Sequence, residues 1–128
     1  MASNPANLSI PAGSQGAITC LANAAYYQRV TLSWGSTTVI FSGTGEGIAM
    51  TTSTGDQLFL IPPNKDALSI SATFEYSTTG KNGTYGKASV NTPIISDKGG
   101  FHVIEVTSED STDNDNNDSY LTITTVAK

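Results

Sequence analysis

The chain has one cysteine, one histidine and one tryptophan in 128 residues, and only six lysines and arginines. A single Cys20 rules out a disulfide framework within the chain. Its setting in the apolar run Ile18-Thr19-Cys20-Leu21 marks a small core residue rather than a reactive thiol. His102 has no His, Cys or Asp partner at ligand spacing and reads as an ordinary strand residue. The scarcity of basic residues, with a formal charge of −5, argues against nucleic acid or an anionic membrane as partner. No apolar run approaches the roughly 20 residues that cross a bilayer, so membrane insertion is not expected. The opening Met1-Ala-Ser-Asn-Pro-Ala-Asn7 lacks the basic and apolar regions of a secretory leader. Cytoplasmic synthesis is the expectation, with non-classical release to the cell surface left open. A helical period of 3.6 residues is also missing.

What is present is alternation of period two, rich in Val, Ile, Thr and Phe. Leu8 and Ile10 open a first strand, Ala17 to Asn23 make a second, and Val30, Leu32 and Trp34 alternate with polar residues. Gly35-Ser36 turns the chain into Val39 to Ser42, a hairpin. The Gly-rich stretch Ser42 to Gly47 reads as a loop. It lacks the Lys-Ser/Thr and following helix of a phosphate-binding loop. Strands are then expected at Ile48 to Thr52, Gln57 to Ile61, Leu68 to Tyr76, Ala88 to Ile95 with an interruption near Pro93, Phe101 to Thr107 and Ser119 to Ala127. Thr78 to Gly86 forms an exposed hairpin tip, and Trp34 belongs to the core face. Thr122, Thr124 and Thr125 suit a sheet surface or a subunit contact. The sequons at Asn7, Asn82 and Asn117 read as chance in a Ser/Thr-rich chain. The expectation is one domain, residues 1–128: an all-β antiparallel β-sandwich of about nine strands.

The charge is distributed very unevenly. Glu109, Asp110, Asp113, Asp115 and Asp118 are five of the eleven carboxylates, so this one segment carries the whole charge excess. Carboxylates this close repel one another unless a cation neutralises them. With oxygen ligands and no adjacent His or Cys, the expected cation is Ca²⁺. Asp113-x-Asp115-x-Asn117 imitates the start of an EF-hand. That motif needs Gly at its sixth position and Glu at its twelfth, and Asp118 and Thr124 stand there, between strands. Asn114, Asn116 and Asn117 add amide oxygens, and the total exceeds the 6 to 8 that one Ca²⁺ takes. Two ions sharing bridging carboxylates use the supply better.

The string Ser108-Glu-Asp-Ser-Thr-Asp-Asn-Asp-Asn-Asn-Asp118 resembles S-E-D-G-T-D-N-D-Y-N-D, the signature of two-calcium, fucose/mannose-binding bacterial lectins of the LecB type. It departs only at Ser111 and Asn116. Leu8 to Ala12 and Leu21 to Ala25 resemble that family's opening strand and Asn-bearing sugar loop, whereas residues 43–100 carry little similarity. The resemblance implies that Glu109, Asp113, Asp115 and Asp118 hold one calcium. Asn23, Asp115, Asn117 and Asp118 would hold the other, completed by the C-terminal carboxylate of a neighbouring subunit. That carboxylate belongs here to Lys128, ten positions beyond Asp118, where the family has the same spacing but a W-P-L-G ending.

By the same resemblance, mannose- or fucose-type monosaccharides would bind through ring hydroxyls that replace calcium-bound water, without catalysis. The sugar-binding set would be Asn23, Ala24, Ala25, Tyr26, Asp110, Asp113, Asp115, Asn117 and Asp118, in a homodimer or tetramer. Small apolar residues at 24 and 25 favour mannose; Tyr26 narrows the site, stacks on a second sugar or is an ordinary strand-end aromatic, and Asp110 accepts a hydrogen bond from a hydroxyl or orients the loop backbone. Two rivals stand beside this reading. One is a calcium-stabilised structural or adhesion module whose ions touch no sugar. The other is a metal-dependent hydrolase, for which no general acid or base stands apart from the ligands.

Overall fold

The computed structural model describes residues 3–109 and 118–127, and every regular element among them is a β-strand. There are ten: β1 Ala6–Ile10, β2 Ser14–Trp34, β3 Thr37–Ala49, β4 Phe59–Ile61, β5 Leu68–Ser77, β6 Gly86–Lys87, β7 Ser89–Val90, β8 Ile94–Lys98, β9 Phe101–Glu109 and β10 Ser119–Ala127. All pairings are antiparallel, along the path β1-β5-β2-β10-β9-β7, with β3 and β4 also on β2, β6 on β5 and β8 on β9.

β2 organises the sheet. Its first part, Ser14–Ala22, pairs with β10, and its last part, Tyr27–Ser33, pairs with β5. One strand therefore serves both faces of the sandwich, turning between them at irregular residues, as strands that switch sheets do. The two expected strands, Ala17 to Asn23 and Val30 to Trp34, are the two ends of this single element. Their side chains alternate inward, so Ile18, Cys20 and Ala22 meet Val30 and Leu32 in one apolar core with Phe41, Phe74, Ile104, Val106, Leu121 and Ile123. Burying each of the two phenylalanines contributes roughly 1.5–3 kcal/mol. Burial also pushes the Cys20 thiol well above its ordinary pKa, in keeping with a core role. Trp34 packs partly buried against this core, edge-on to Phe59.

Several local expectations change. β3 runs on through the glycines to Ala49, so Ser42 to Gly47 is a bulged strand rather than a loop, and no separate strand covers Ile48 to Thr52. Gly45 and Gly47, at φ 117° and 64°, let the backbone bulge without leaving the ladder. The interruption expected near Pro93 is present: Pro93 supplies no N–H to a ladder, and the Ala88 to Ile95 stretch divides into β7 and β8 around it. His102 does have a partner: its Nδ1 lies 2.7 Å from Asp97 Oδ1 across the β8–β9 pair, a proximity set by the hairpin register. Thr125 is buried, not on the sheet surface, because it falls in the same inward register as Leu121 and Ile123. Opposite it, Gly16 leaves no room for a side chain, since a Cβ there would stand 2.0 Å from the Thr124 carbonyl oxygen.

Candidate functional site

β9 and β10 are neighbours whose matched ends bring Ser108 opposite Ser119. The acidic segment joins these ends. Of its predicted members, Glu109 and Asp118 are described, whereas Asp110, Asp113, Asp115 and Asn117 lie outside the described residues, as does Lys128. Among the described residues, no three His, Cys, Asp or Glu side chains gather where they would hold a metal ion.

Asp118 is completely buried, which a carboxylate tolerates only with compensating partners. Its backbone N–H donates to the Ser108 carbonyl at 2.8 Å, and its carbonyl accepts from the Asn23 N–H at 2.9 Å. The second bond joins the acidic segment to the predicted sugar loop, two stretches far apart in sequence. Glu109, at the other end of the segment, has a buried Oε1 with no hydrogen-bond partner among the described residues. Such an oxygen, left unsatisfied, costs roughly 1–3 kcal/mol or more for a charged group. A hard cation is the chemically matched partner for it.

On the β2 side the ladder slips twice. Ala22 pairs with Ile48 but Asn23 with Glu46, and after Ala24–Gly45 the next pair is Gln28–Gly43. Ala25, Tyr26 and Tyr27 therefore bulge outward opposite the single residue Thr44. The Thr44 hydroxyl lies 3.3, 3.0 and 3.4 Å from the carbonyl oxygens of Ala24, Ala25 and Tyr26, closest to Ala25. Ala24 is buried, Asn23 half-buried, and Ala25 and Tyr26 exposed. Tyr26 stacks on Tyr76 with centroids 6.0 Å apart, so one face of its ring is already covered.

Four residues in this region were not singled out from sequence: Gln28, Ser119, Thr44 and Glu46. Gln28 is fully buried; its Nε2 donates to the Tyr26 carbonyl at 3.1 Å, and its Oε1 accepts from the Ser119 hydroxyl at 2.9 Å. Glu46 is exposed and stands opposite Asn23 in the β2–β3 register. Gln28, Ser108, Asp118 and Ser119 thus gather much of the buried polar chemistry at this one end of the molecule. Away from it, Arg29 pairs with Glu75 at 2.9 Å and lies 3.6 Å over the Tyr85 ring. Burial raises the Tyr85 pKa, and Arg29 partly offsets the rise. Tyr120 donates to Glu105, a bond that raises the phenol's pKa.

The opposite end of β2 and β10 differs in kind. A groove of about 740 Å³ runs there among Gly16, Leu60, Pro62, Phe101, Thr125 and Val126. Leu60 is 67% and Phe101 50% exposed.

Residues 8–127 match the family described as fucose-binding lectin II (PA-IIL), and the chain belongs to that family. It is accordingly a sugar-binding lectin, which holds carbohydrate without transforming it. Among solved structures, a high-affinity mannose-binding lectin of Ralstonia solanacearum is similar at 20% identity and a TM-score of 0.67, over 95% of this chain and 96% of that one. The Chromobacterium violaceum lectin CV2L, solved with alpha-methyl-fucoside, is similar at 20% identity and 0.68, over 96% of each chain. The C-terminal domain of the BC2L-C lectin of Burkholderia cenocepacia is similar at 16% identity and 0.56, over 97% of each. At these identities the likeness is one of fold. No curated protein sequence matches the chain.

Proposed function

We propose that the chain, acting as one domain over residues 1–128, is a calcium-dependent lectin for mannose- or fucose-type sugars. The observation that carries this reading is the Asn23–Asp118 bond, which sets the sugar loop against the acidic segment beside the buried Glu109 oxygen. Glu109, Asp113, Asp115 and Asp118 would hold one calcium ion, and Asn23, Asp115, Asn117 and Asp118 the second. Bound calcium supplies open coordination positions that vicinal sugar hydroxyls fill in place of water. The protein's part is to hold the carboxylates in place and to shape the rim with Ala24, Ala25 and Tyr26, while Asp110 accepts a hydrogen bond from a sugar hydroxyl. Two divalent ions against four carboxylates and one terminal carboxylate leave the site nearly neutral, able to take an uncharged ligand.

The partner is a second copy of the chain. β10 carries the backbone about 27 Å from Ser119, next to Asp118, to Ala127, at about 3.4 Å per residue. A Lys128 carboxylate leaving that far end completes the site of a neighbour, not its own, and the apolar groove beside it supplies the contact surface. The sugar-binding part of the reading is supported by the mannose-binding and fucoside-bound lectins above, alike in fold over nearly the whole of this chain.

Calorimetric titration of methyl-mannoside and fucose, with and without EDTA, tests the function. Calcium-dependent heat of sugar binding is the expected result. Stabilisation by Ca²⁺ with no sugar response would establish the structural-module alternative instead.

A further inference from the structure

We propose that Gln28 is a positioning residue that sets the height of the sugar loop relative to the carboxylates of the site. The proposal rests on the reading of Ala24–Tyr26 as the rim of the sugar site. It stands on a buried polar bridge: one carboxamide reaches the Tyr26 carbonyl on one side and the Ser119 hydroxyl on the other, at 3.1 and 2.9 Å. Tyr26 is at the crest of the bulge, and Ser119 directly follows Asp118. The same amide therefore spans from the loop that shapes the sugar's surroundings to the backbone that bears a buried carboxylate.

Its setting makes the bridge hard to explain as ordinary stabilisation. Gln28 occupies an inward position of β2, in register with Val30 and Leu32, where an apolar side chain satisfies the core. A polar group there is worth little net stability, yet it costs the full desolvation of its atoms if a partner is lost. What the amide adds that Leu or Met does not is a directional tie to the crest. The β2–β3 ladder cannot hold the crest itself, because Ala25 and Tyr26 have only Thr44 opposite them and pairing with β5 begins at Tyr27. The Thr44 hydroxyl has one proton to share among three carbonyls. Gln28 fixes the crest from beneath, so the rim meets each sugar at a set height, and discrimination between hydroxyl stereochemistries follows from that height.

Gln28→Met and Ser119→Ala, with their double variant, test the role in calcium-loaded protein. Methyl-mannoside and fucose titrations read the rim, and calcium titration without sugar reads the carboxylates. Gln28→Met should lower sugar affinity about tenfold and change the mannose-to-fucose ratio, with calcium affinity within about twofold of the wild type. Ser119→Ala should reproduce part of that change, and the double variant should match Gln28→Met alone, as members of one network do. Gln28→Met and Ser119→Ala proteins with the wild-type sugar ratio would overturn the positioning role. So would a loss of calcium affinity equal to the loss of sugar affinity. Wild-type protein that takes up calcium but binds neither sugar would instead overturn the reading of the site itself, a separate result. Should Gln28→Met not fold, Ser119→Ala, which removes a single hydroxyl, decides the matter by its sugar ratio.

Discussion

The two ends of the β2–β10 pair are built from the same strands and prepared for opposite chemistry. At one end lie Ala22, Asn23, Asp118 and Ser119, where the adjoining β2–β3 ladder slips and polar groups are buried. At the other lie Gln15, Gly16, Thr125 and Val126, where the ladder stays in register and apolar residues are exposed. Strand identity does not decide what an edge binds. What decides it is whether the register breaks. A slip against β3 lifts backbone and small side chains out of the plane, while the continuous β2–β10 pairing brings a distant segment, here Asp118, against them. Unbroken pairing leaves a smooth surface that suits another protein face.

The comparison breaks most severely at Asp118. Asp118→Asn keeps the shape of the side chain and removes its charge, so calcium uptake and sugar binding should both fall by more than the roughly 10–100-fold that loss of an outer-shell partner costs. Calorimetry measures this, while sedimentation should show the oligomer changed far less. Next comes the groove. Leu60→Glu should weaken self-association by about thirtyfold, the equivalent of roughly 2 kcal/mol for a central apolar contact. If the Lys128 carboxylate crosses between copies, calcium affinity falls with it. Sedimentation with parallel calcium titration reads both, and an unchanged oligomer would remove the groove as an interface. The smallest effect belongs to Gly16→Ala, which forces backbone apart where β2 meets β10. A loss of about 1–3 kcal/mol is expected, visible as a lower melting temperature, with sugar preference unaltered.

Much of the fold was legible because alternation is a local signal: Leu68 to Tyr76, Phe101 to Thr107 and Ser119 to Ala127 all lie in observed strands. The run of glycines from 43 to 47 misled because a bulge and a loop share the same composition, and only pairing across to Asn23 and Ala24 separates them. His102 looked solitary because Gly99-Gly100 was not read as the two-residue turn that sets Asp97 opposite it in the β8–β9 hairpin. At the site, a backbone hydrogen bond joins Asn23 and Asp118, two residues the resemblance singles out. Gln28 was missed although its signal was in plain view: an amide in the inward register of a strand whose later members are Val30 and Leu32. A polar residue at an apolar position of a regular pattern is the mark of a buried hydrogen-bonded tie.

A strand shared between both halves of a sandwich has a thermal consequence. With 21 consecutive residues threaded through the whole molecule, neither half can melt and leave the other standing. Heating should therefore dismantle the protein in one cooperative step, and glycan recognition should vanish at the same temperature as the last of the β-structure.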